Sequence, residues 1–381
     1  MTDLMEKSLQ TLEFPAVLEL LAAQAVSDET KERVRKIRPS TDRGEVNLLL
    51  QETTAARKMM DIHGAPALSN LRPVAASLQR AHLGGVLNTR ELLQIASVLR
   101  TTRNVASYSG VGEEKTCIHS IFKSLTPNKY LEEKISGAIL SEDEISDNAS
   151  AELADLRRKI RVTSGKAREV LQRIISSSAA KYLQEAIITI RSNRFVVPVK
   201  AEFKGSIPGL VHDVSASGST YFIEPMGAVK ANNDLRELLS KEEAEIQRIL
   251  ASLSREAASF REDILQNYDL LLALDLIFAR GKLSYQMNGM EPKLVEDGGF
   301  VFRHARHPLL DKKKAVPIDL ELGQTFDTLI ITGPNTGGKT VTLKTAGLLT
   351  LMAQCGLHLP VDDRSQVSIF EKVLADIGDE Q

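Results

Sequence analysis

Apolar positions along this chain change period several times, and the changes divide it. Between Ala149 and Ile174 a seam returns at alternating intervals of four and three, through Leu153, Leu156, Ile160, Thr163, Ala167 and Val170. A second seam runs through Ile246, Leu250, Leu253, Ala257, Phe260, Ile264, Asn267, Leu271 and Leu274. Charged residues fill most other positions, so each seam predicts a long helix with one narrow apolar stripe. Each helix is expected to exceed about thirty residues, roughly 45 Å at 1.5 Å per residue. Between the seams the period shortens to two. Residues 187–190, 195–199, 210–214 and 220–223 read as strands, separated by turns at 191–194, Gly205, Gly209 and 215–218. Two heptad helices flanking short strands predict an antiparallel arm with a small β-rich domain at its end.

The stretch up to about residue 125 reads as packed helices. Phe14, Val17, Leu18, Leu20 and Leu21 share one face, and Pro39-Ser40-Thr41-Asp42 stops one helix and caps the next, which opens with Val46, Leu49 and Leu50. Another helix carries Leu92, Leu93, Ile95, Ala96 and Leu99 after the turn at Gly84-Gly85. Beyond the second seam, Phe300-Val301-Phe302 lies in a strand-rich run, residues 328–331 read as a short buried strand, and a helix is expected from about Lys339 to Gln354. A further strand is expected at 367–370. The fold class expected is mainly α with an α/β portion.

Chemistry enters between the strand at 328–331 and the helix after it. Gly333-Pro334-Asn335-Thr336-Gly337-Gly338-Lys339-Thr340 has the spacing G-x-x-x-x-G-K-T, the phosphate-binding P-loop. Gly333, Gly337 and Gly338 let backbone N–H groups curve around phosphate oxygens where side chains would clash. The helix N-terminus adds partial positive charge, Lys339 reaches the β- and γ-phosphates, and Thr340 holds Mg²⁺. The expected cofactors are ATP and Mg²⁺.

Charge changes the picture at the arm's end. The 381 residues carry a net charge of −2, so no bulk attraction to nucleic acid exists and any contact must be local. Arg191, Arg194, Lys200 and Lys204 lie on or beside the turns of the β-rich tip. Four such cations can neutralise about as many phosphates, a salt-dependent grip that does not tell DNA from RNA. The same residues also serve as ordinary solubility devices on exposed strands, and Glu202 and Glu224 sit among them. Cys117 and Cys355 lie far apart without metal-ligand spacing, and His304 and His307 have no third ligand nearby. No apolar run reaches membrane-spanning length and the acidic start is no signal peptide, so a cytoplasmic location without membrane association is expected.

Several segments carry a family resemblance. Pro334-Asn335 inside the loop resembles the G-P-N-x-G-G-K form of the MutS family of ABC-type ATPases, and Arg306-His307-Pro308 upstream looks like the R-H-P segment that opens its nucleotide-binding domain. Leu12-Glu13-Phe14, Leu18-Glu19-Leu20-Leu21 and Arg38-Pro39-Ser40-Thr41 resemble the opening of one bacterial branch, MutS-II. The resemblance implies a helical core over 1–140, a first lever helix over 141–185, a β-rich clamp over 186–224, a second lever helix and return to the core over 225–289, and an incomplete ABC-type ATPase domain over 290–381. It implies that Asn335 touches the γ-phosphate or the attacking water. The aromatic that stacks on adenine in MutS proteins is replaced here by Leu294, which leaves Phe300, Phe302 and His307 as candidates.

Asp379-Glu380 invites a Walker B reading, but Gly378 interrupts the strand that such an acid would terminate. The stretch resembles instead the A-D-I-G-D-E-Q segment that precedes the signature and Walker B motifs. The chain is therefore expected to stop inside its ATPase domain, before any Smr nuclease domain, and no catalytic residue is assigned. The mismatch-reading Phe-x-Glu wedge has no counterpart; Phe222-Ile223-Glu224 and Phe260-Arg261-Glu262 match it in the wrong contexts. By resemblance the complete protein is a homodimeric, DNA-dependent ATPase and endonuclease that acts on branched or mismatched DNA and suppresses homologous recombination. Two readings stand beside it: an RNA- or ribosome-binding ATPase that rescues stalled ribosomes, and a nucleotide-sensing scaffold without hydrolysis. Arm proteins of the SMC or Rad-fifty type fit poorly, because they place the P-loop before the coiled coil.

Overall fold

Two of the long helices in this protein begin where a side chain satisfies the open end of the backbone. In the computed structural model, which describes residues 3–108, 116–311, 313–333 and 338–377, the chain opens with α1 (Asp3–Thr11), α2 (Phe14–Ala22) and α3 (Asp28–Arg35). Before α4 (Arg43–His63), the Asp42 carboxylate accepts from the Glu45 N–H at 2.9 Å while the Ser40 hydroxyl donates to the Glu45 carboxylate at 2.5 Å. This closed cap holds the helix start at the position its sequence predicts. There follow α5 (Ala75–His82), α6 (Thr89–Tyr108), α7 (His119–Lys123) and α8 (Lys129–Ala138), then a small hairpin of β1 (Ile139–Ser141) and β2 (Glu144–Ile145).

Ser150 starts α9 (Ala151–Ile175): its hydroxyl accepts from the Leu153 N–H and donates to the Glu245 carboxylate at 2.6 Å. Next come β3 (Thr189–Arg191), β4 (Arg194–Lys200), β5 (Gly209–Val214), β6 (Thr220–Pro225) and α10 (Met226–Ser259). The remainder is α11 (Arg261–Met287), β7 (Lys293–Val295), β8 (Phe300–Ala305), β9 (Ile318–Leu322), α12 (Lys339–Ala353) and β10 (Gln366–Ser368). The described residues are mainly α-helical with small sheets, and no described helix is long and apolar enough to cross a membrane.

The chain forms two units. The first comprises residues 1–76, 94–132 and 260–381. Its core gathers Phe14, Val17 and Leu21 of α2, Leu283 of α11, Phe302 of β8, and Leu348, Leu351 and Met352 of α12. Its sheet has the order β7-β10-β8-β9, with β10 parallel to β7 and antiparallel to β8. At Gly281 of α11 an added Cβ would lie 2.8 Å from the Met60 methyl and 3.2 Å from the Ala56 Cβ, so glycine is what lets α11 approach α4.

The second unit comprises residues 77–93 and 133–259. Helices α9 and α10 pack together and an antiparallel sheet, β3-β4-β6-β5, lies against them. Ala167 and Leu171 of α9, Val197 and Val199 of β4, Ile223 of β6 and Leu235 of α10 form its core. Ser192 and Asn193 have φ of 49° and 60°, the left-handed pair that a two-residue hairpin between β3 and β4 requires.

Three expectations change. The first heptad helix is 25 residues long, because Ser150 caps its start and the Ser176-Ser177-Ser178 run diverts the backbone into a 3₁₀ turn capped by the Ser177 hydroxyl. The second seam spans two helices that meet at Phe260, a non-helical residue with φ −105° and ψ 18°. An apolar side chain in register hides such a break, because periodicity reports which face is buried and not whether the axis is continuous. Residues 328–331 form no strand: Leu329 is 41% exposed and Ile330 81%. A strand apolar on both faces is buried only when other strands flank it, and among the described residues none does.

Candidate functional site

The Gly338-Lys339-Thr340 end of the P-loop motif is set on the start of α12. Gly338 caps the helix with φ 77°, a conformation glycine adopts without the penalty other residues meet. Lys339 and Thr340 then occupy the first turn, which contains no acidic residue, so nothing in it neutralises the partial positive charge of a 15-residue helix. The Thr340 side chain is exposed and makes no hydrogen bond within the described residues, a free hydroxyl that fits a Mg²⁺ ligand. The C-terminal half of the helix is fixed in the core through Leu348, Leu349, Leu351 and Met352, and Gly347 admits the Leu12 side chain against it. Gly333 has φ 150°; Pro334, Asn335, Thr336 and Gly337 lie outside the described residues, as do Gly378 and Asp379-Glu380.

His307 sits in the same unit. Only 7% of it is exposed, its Nδ1 accepts from the Leu309 N–H at 3.4 Å, and it lines a cavity of ≈ 190 Å³ with Met287, Asn288, Arg306, Leu310 and Pro360. Burial holds its pKa below the ordinary histidine value, Glu13 opposes the shift, and the Lys344 ammonium of α12 adds to it. The ring is therefore neutral at neutral pH and lies within the electrostatic reach of the P-loop helix. Phe300 and Phe302 offer no ring face to a base: they stack on each other at 4.7 Å, both buried in the core. Leu294 packs against the same core, partly buried.

In the second unit the four tip cations separate into two kinds. Arg194 is half-buried and its guanidinium donates to both oxygens of the fully buried Glu224, at 2.8 and 3.0 Å, and to Asn233 at 2.8 Å. Glu224 also holds His212 Nε2 and accepts from the Asn232 amide at 2.8 Å. Asn232 in turn accepts from the Phe195 N–H and donates to the Phe195 carbonyl, as a neighbouring strand would. Arg191 pairs with Asp213 at 3.3 Å and lies 4.2 Å over the Phe222 ring. Lys200 and Lys204 have no carboxylate partner among the described residues; Lys204 rests 4.6 Å over Tyr221, and Lys200 reaches only the Lys181 carbonyl, at 3.5 Å. Sequence reasoning did not pick out the Glu224–Asn232–His212 cluster, since nothing local marks which carboxylate will be buried. A second polar cluster was equally invisible: His358 bridges Ser284 at 2.8 Å and Thr54 at 2.9 Å, and Thr54 donates to Glu291.

Comparison with known proteins adds to this geometry. Residues 329–381, which include the P-loop and α12, match the family described as MutS domain V. The chain is 46% identical over 381 residues to a protein of Acetivibrio thermocellus named endonuclease MutS2, covering 99% of this chain and 48% of that relative. Proteins of the same name from Agathobacter rectalis and Clostridioides difficile are 46% and 45% identical, again over 99% of this chain and 48% of theirs. The chain thus spans about half the length of the curated relatives it matches.

Proposed function

Because this chain belongs to the MutS2 family, we propose that it binds ATP with Mg²⁺ at the start of α12 and clamps nucleic acid with the four-stranded sheet of its second unit. The observation that carries the nucleotide reading is the anchored helix: a first turn without an acidic residue, glycine before it, Lys339 and Thr340 on it, and its far end locked in the core. Lys339 is assigned to the β- and γ-phosphates and Thr340 to Mg²⁺, with the Gly333–Gly338 backbone around the phosphates. His307, whose neutral ring lines the ≈ 190 Å³ cavity, is assigned to the base. Replacing Lys339 by Ala is expected to abolish binding of a fluorescent ATP analogue; unchanged affinity would overturn the assignment.

For the whole protein the proposal is broader. Its relatives are named endonucleases, and a MutS-type machine would couple ATP hydrolysis to closure of the clamp on branched or mismatched DNA, limiting recombination. Homodimerisation would supply the second half of each nucleotide site. Competition between four-way DNA junctions and ribosomes for the purified protein separates this from the ribosome-rescue reading: displacement by junctions alone supports DNA.

A further inference from the structure

The clamp reading leaves open which surface meets the nucleic acid, and strand β4 supplies a geometric answer. Its seven residues extend about 20 Å, at roughly 3.3 Å per residue. Arg194 stands at one end, with Arg191 opposite it across the hairpin. Lys200 stands at the other, opposite Thr220. The two arginines and the two lysines therefore belong to different places.

The arginine end is spent internally. Arg194 and Arg191 each neutralise a carboxylate, and Arg194 shares Glu224 with His212 and Asn232. Arg194 is committed to the buried Glu224 and Arg191 to the exposed Asp213, and a guanidinium whose charge is already compensated releases little counterion when a phosphate arrives. The lysine end is built differently. Lys181 lies 5.0 Å over Tyr182 and Lys204 lies 4.6 Å over Tyr221, while Tyr182 and Phe203 pack at 5.1 Å. An aromatic face steadies an ammonium and leaves its charge intact.

Beside these lysines is the turn from Ser215 to Thr220. Ala201 donates to the Ser219 carbonyl, which joins the lysine-bearing loop to it. The hydroxyls of Ser215, Ser217 and Ser219 are linked at 3.3 and 2.7 Å. Three hydroxyls joined by two bonds leave one O–H free to donate outward. Ser217 and Ser219 are exposed, and Gly218 makes the turn with φ 71°. Glu202, also exposed, is the acidic residue of the lysine loop and pairs with none of the three lysines.

We propose, resting on the clamp reading above, that Lys181, Lys200, Lys204 and the Ser217–Ser219 hydroxyls contact the phosphodiester backbone of a nucleic-acid duplex, while Arg191 and Arg194 are positioning residues that hold the sheet. The contact is one of charge and hydrogen bonding to phosphate oxygens, so DNA and RNA duplexes of one sequence are both probed.

The test is a salt titration of duplex binding by the 381-residue chain. Replacing Lys181, Lys200 and Lys204 by Ala is expected to reduce the slope of log K against log salt by about 0.9 per lysine on DNA. Arg191→Gln is expected to leave the slope unchanged while speeding amide exchange in β3 and β4. The S217A/S219A double variant, which keeps the Ser215 cap on the Thr220 N–H, is expected to weaken binding about ten- to a hundredfold at constant slope, the worth of one hydrogen bond to a charged group. Unchanged thermal unfolding midpoints for the lysine and serine variants show that the fold is intact. A slope loss in Arg191→Gln equal to that of a lysine, or full affinity in S217A/S219A, overturns the inference while the clamp reading survives. Should every variant bind with parental affinity and slope, the clamp reading itself falls.

Discussion

At the scale of single residues, the clearest consequence concerns His358. Thr54 donates its proton to Glu291, so His358 Nε2 must donate to Thr54, and in the neutral ring Nδ1 accepts from Ser284. Burial, reinforced by the Arg57 guanidinium, keeps the ring neutral and lowers its pKa from 6.5 to about 4. The folded pKa lies below the unfolded one. Above 6.5 both states are neutral and the contribution is complete; between 6.5 and 4 the unfolded chain gains a proton that the folded one refuses; below 4 nothing further is lost. Stability should therefore fall as pH drops through that window, by about 3 kcal/mol at about 1.4 kcal/mol per pKa unit. Urea unfolding between pH 7 and 4 measures it, and His358→Gln should flatten much of the slope. Gly356 is a second such point: with φ 73° and an added Cβ only 2.3 Å from the Leu49 Cβ, Gly356→Ala should cost about 3 kcal/mol from left-handed strain and overpacking together. A loss below about 1 kcal/mol in thermal unfolding would contradict that account.

Elements were legible where their signals are local. Asp42 before α4, Gly338-Lys339 before α12 and the two heptad stripes are all properties of a few adjacent residues, and each marks helix in the structure, the second stripe two helices in succession. What was not legible depends on partners far along the chain. The apolar run at 328–331 reads as a buried strand because its composition is that of one, yet burial comes from neighbours that composition does not contain. Likewise Arg194 looks like a surface cation until Glu224, 30 residues away, is seen beneath it. Asn232 shows the same thing from the helix side. Its amide satisfies the N–H and C=O of Phe195 and one oxygen of Glu224, joining α10 to β4 and β6. Asn232→Leu would leave the Phe195 N–H and C=O without the amide that pairs them, at about 1 kcal/mol or more each, and would take from Glu224 one of its donors while Arg194 and His212 remain. We expect a stability loss of roughly 3 kcal/mol and a large gain in amide exchange at Phe195; slow exchange there in the variant would show that the sheet is held by its apolar face alone.

At the scale of the whole molecule, each unit holds an apolar cluster of its own, and distinct clusters predict separable stability. The second unit's cluster around Ala167, Leu171, Val197 and Ile223 shares no residue with the first unit's cluster around Phe14, Phe302, Leu348 and Met352. Cooperative unfolding follows buried contacts, so a cavity made in one core should loosen that core first. Leu171→Ala removes a fully buried side chain between α9 and the sheet, and should cost about 2–5 kcal/mol locally. The expected reading is faster amide exchange throughout β4, β6 and the start of α10, with α12 and β8 unchanged. Leu348→Ala, a fully buried residue of the P-loop helix, should give the converse pattern and should also weaken nucleotide binding, because it loosens the seat of Lys339 without touching it. If instead both cavities accelerate exchange equally in both units, the protein unfolds as one body. The four-stranded sheet of the second unit and α12 would then share a single stability, and any ligand bound at α12 would tighten that sheet by mass action alone.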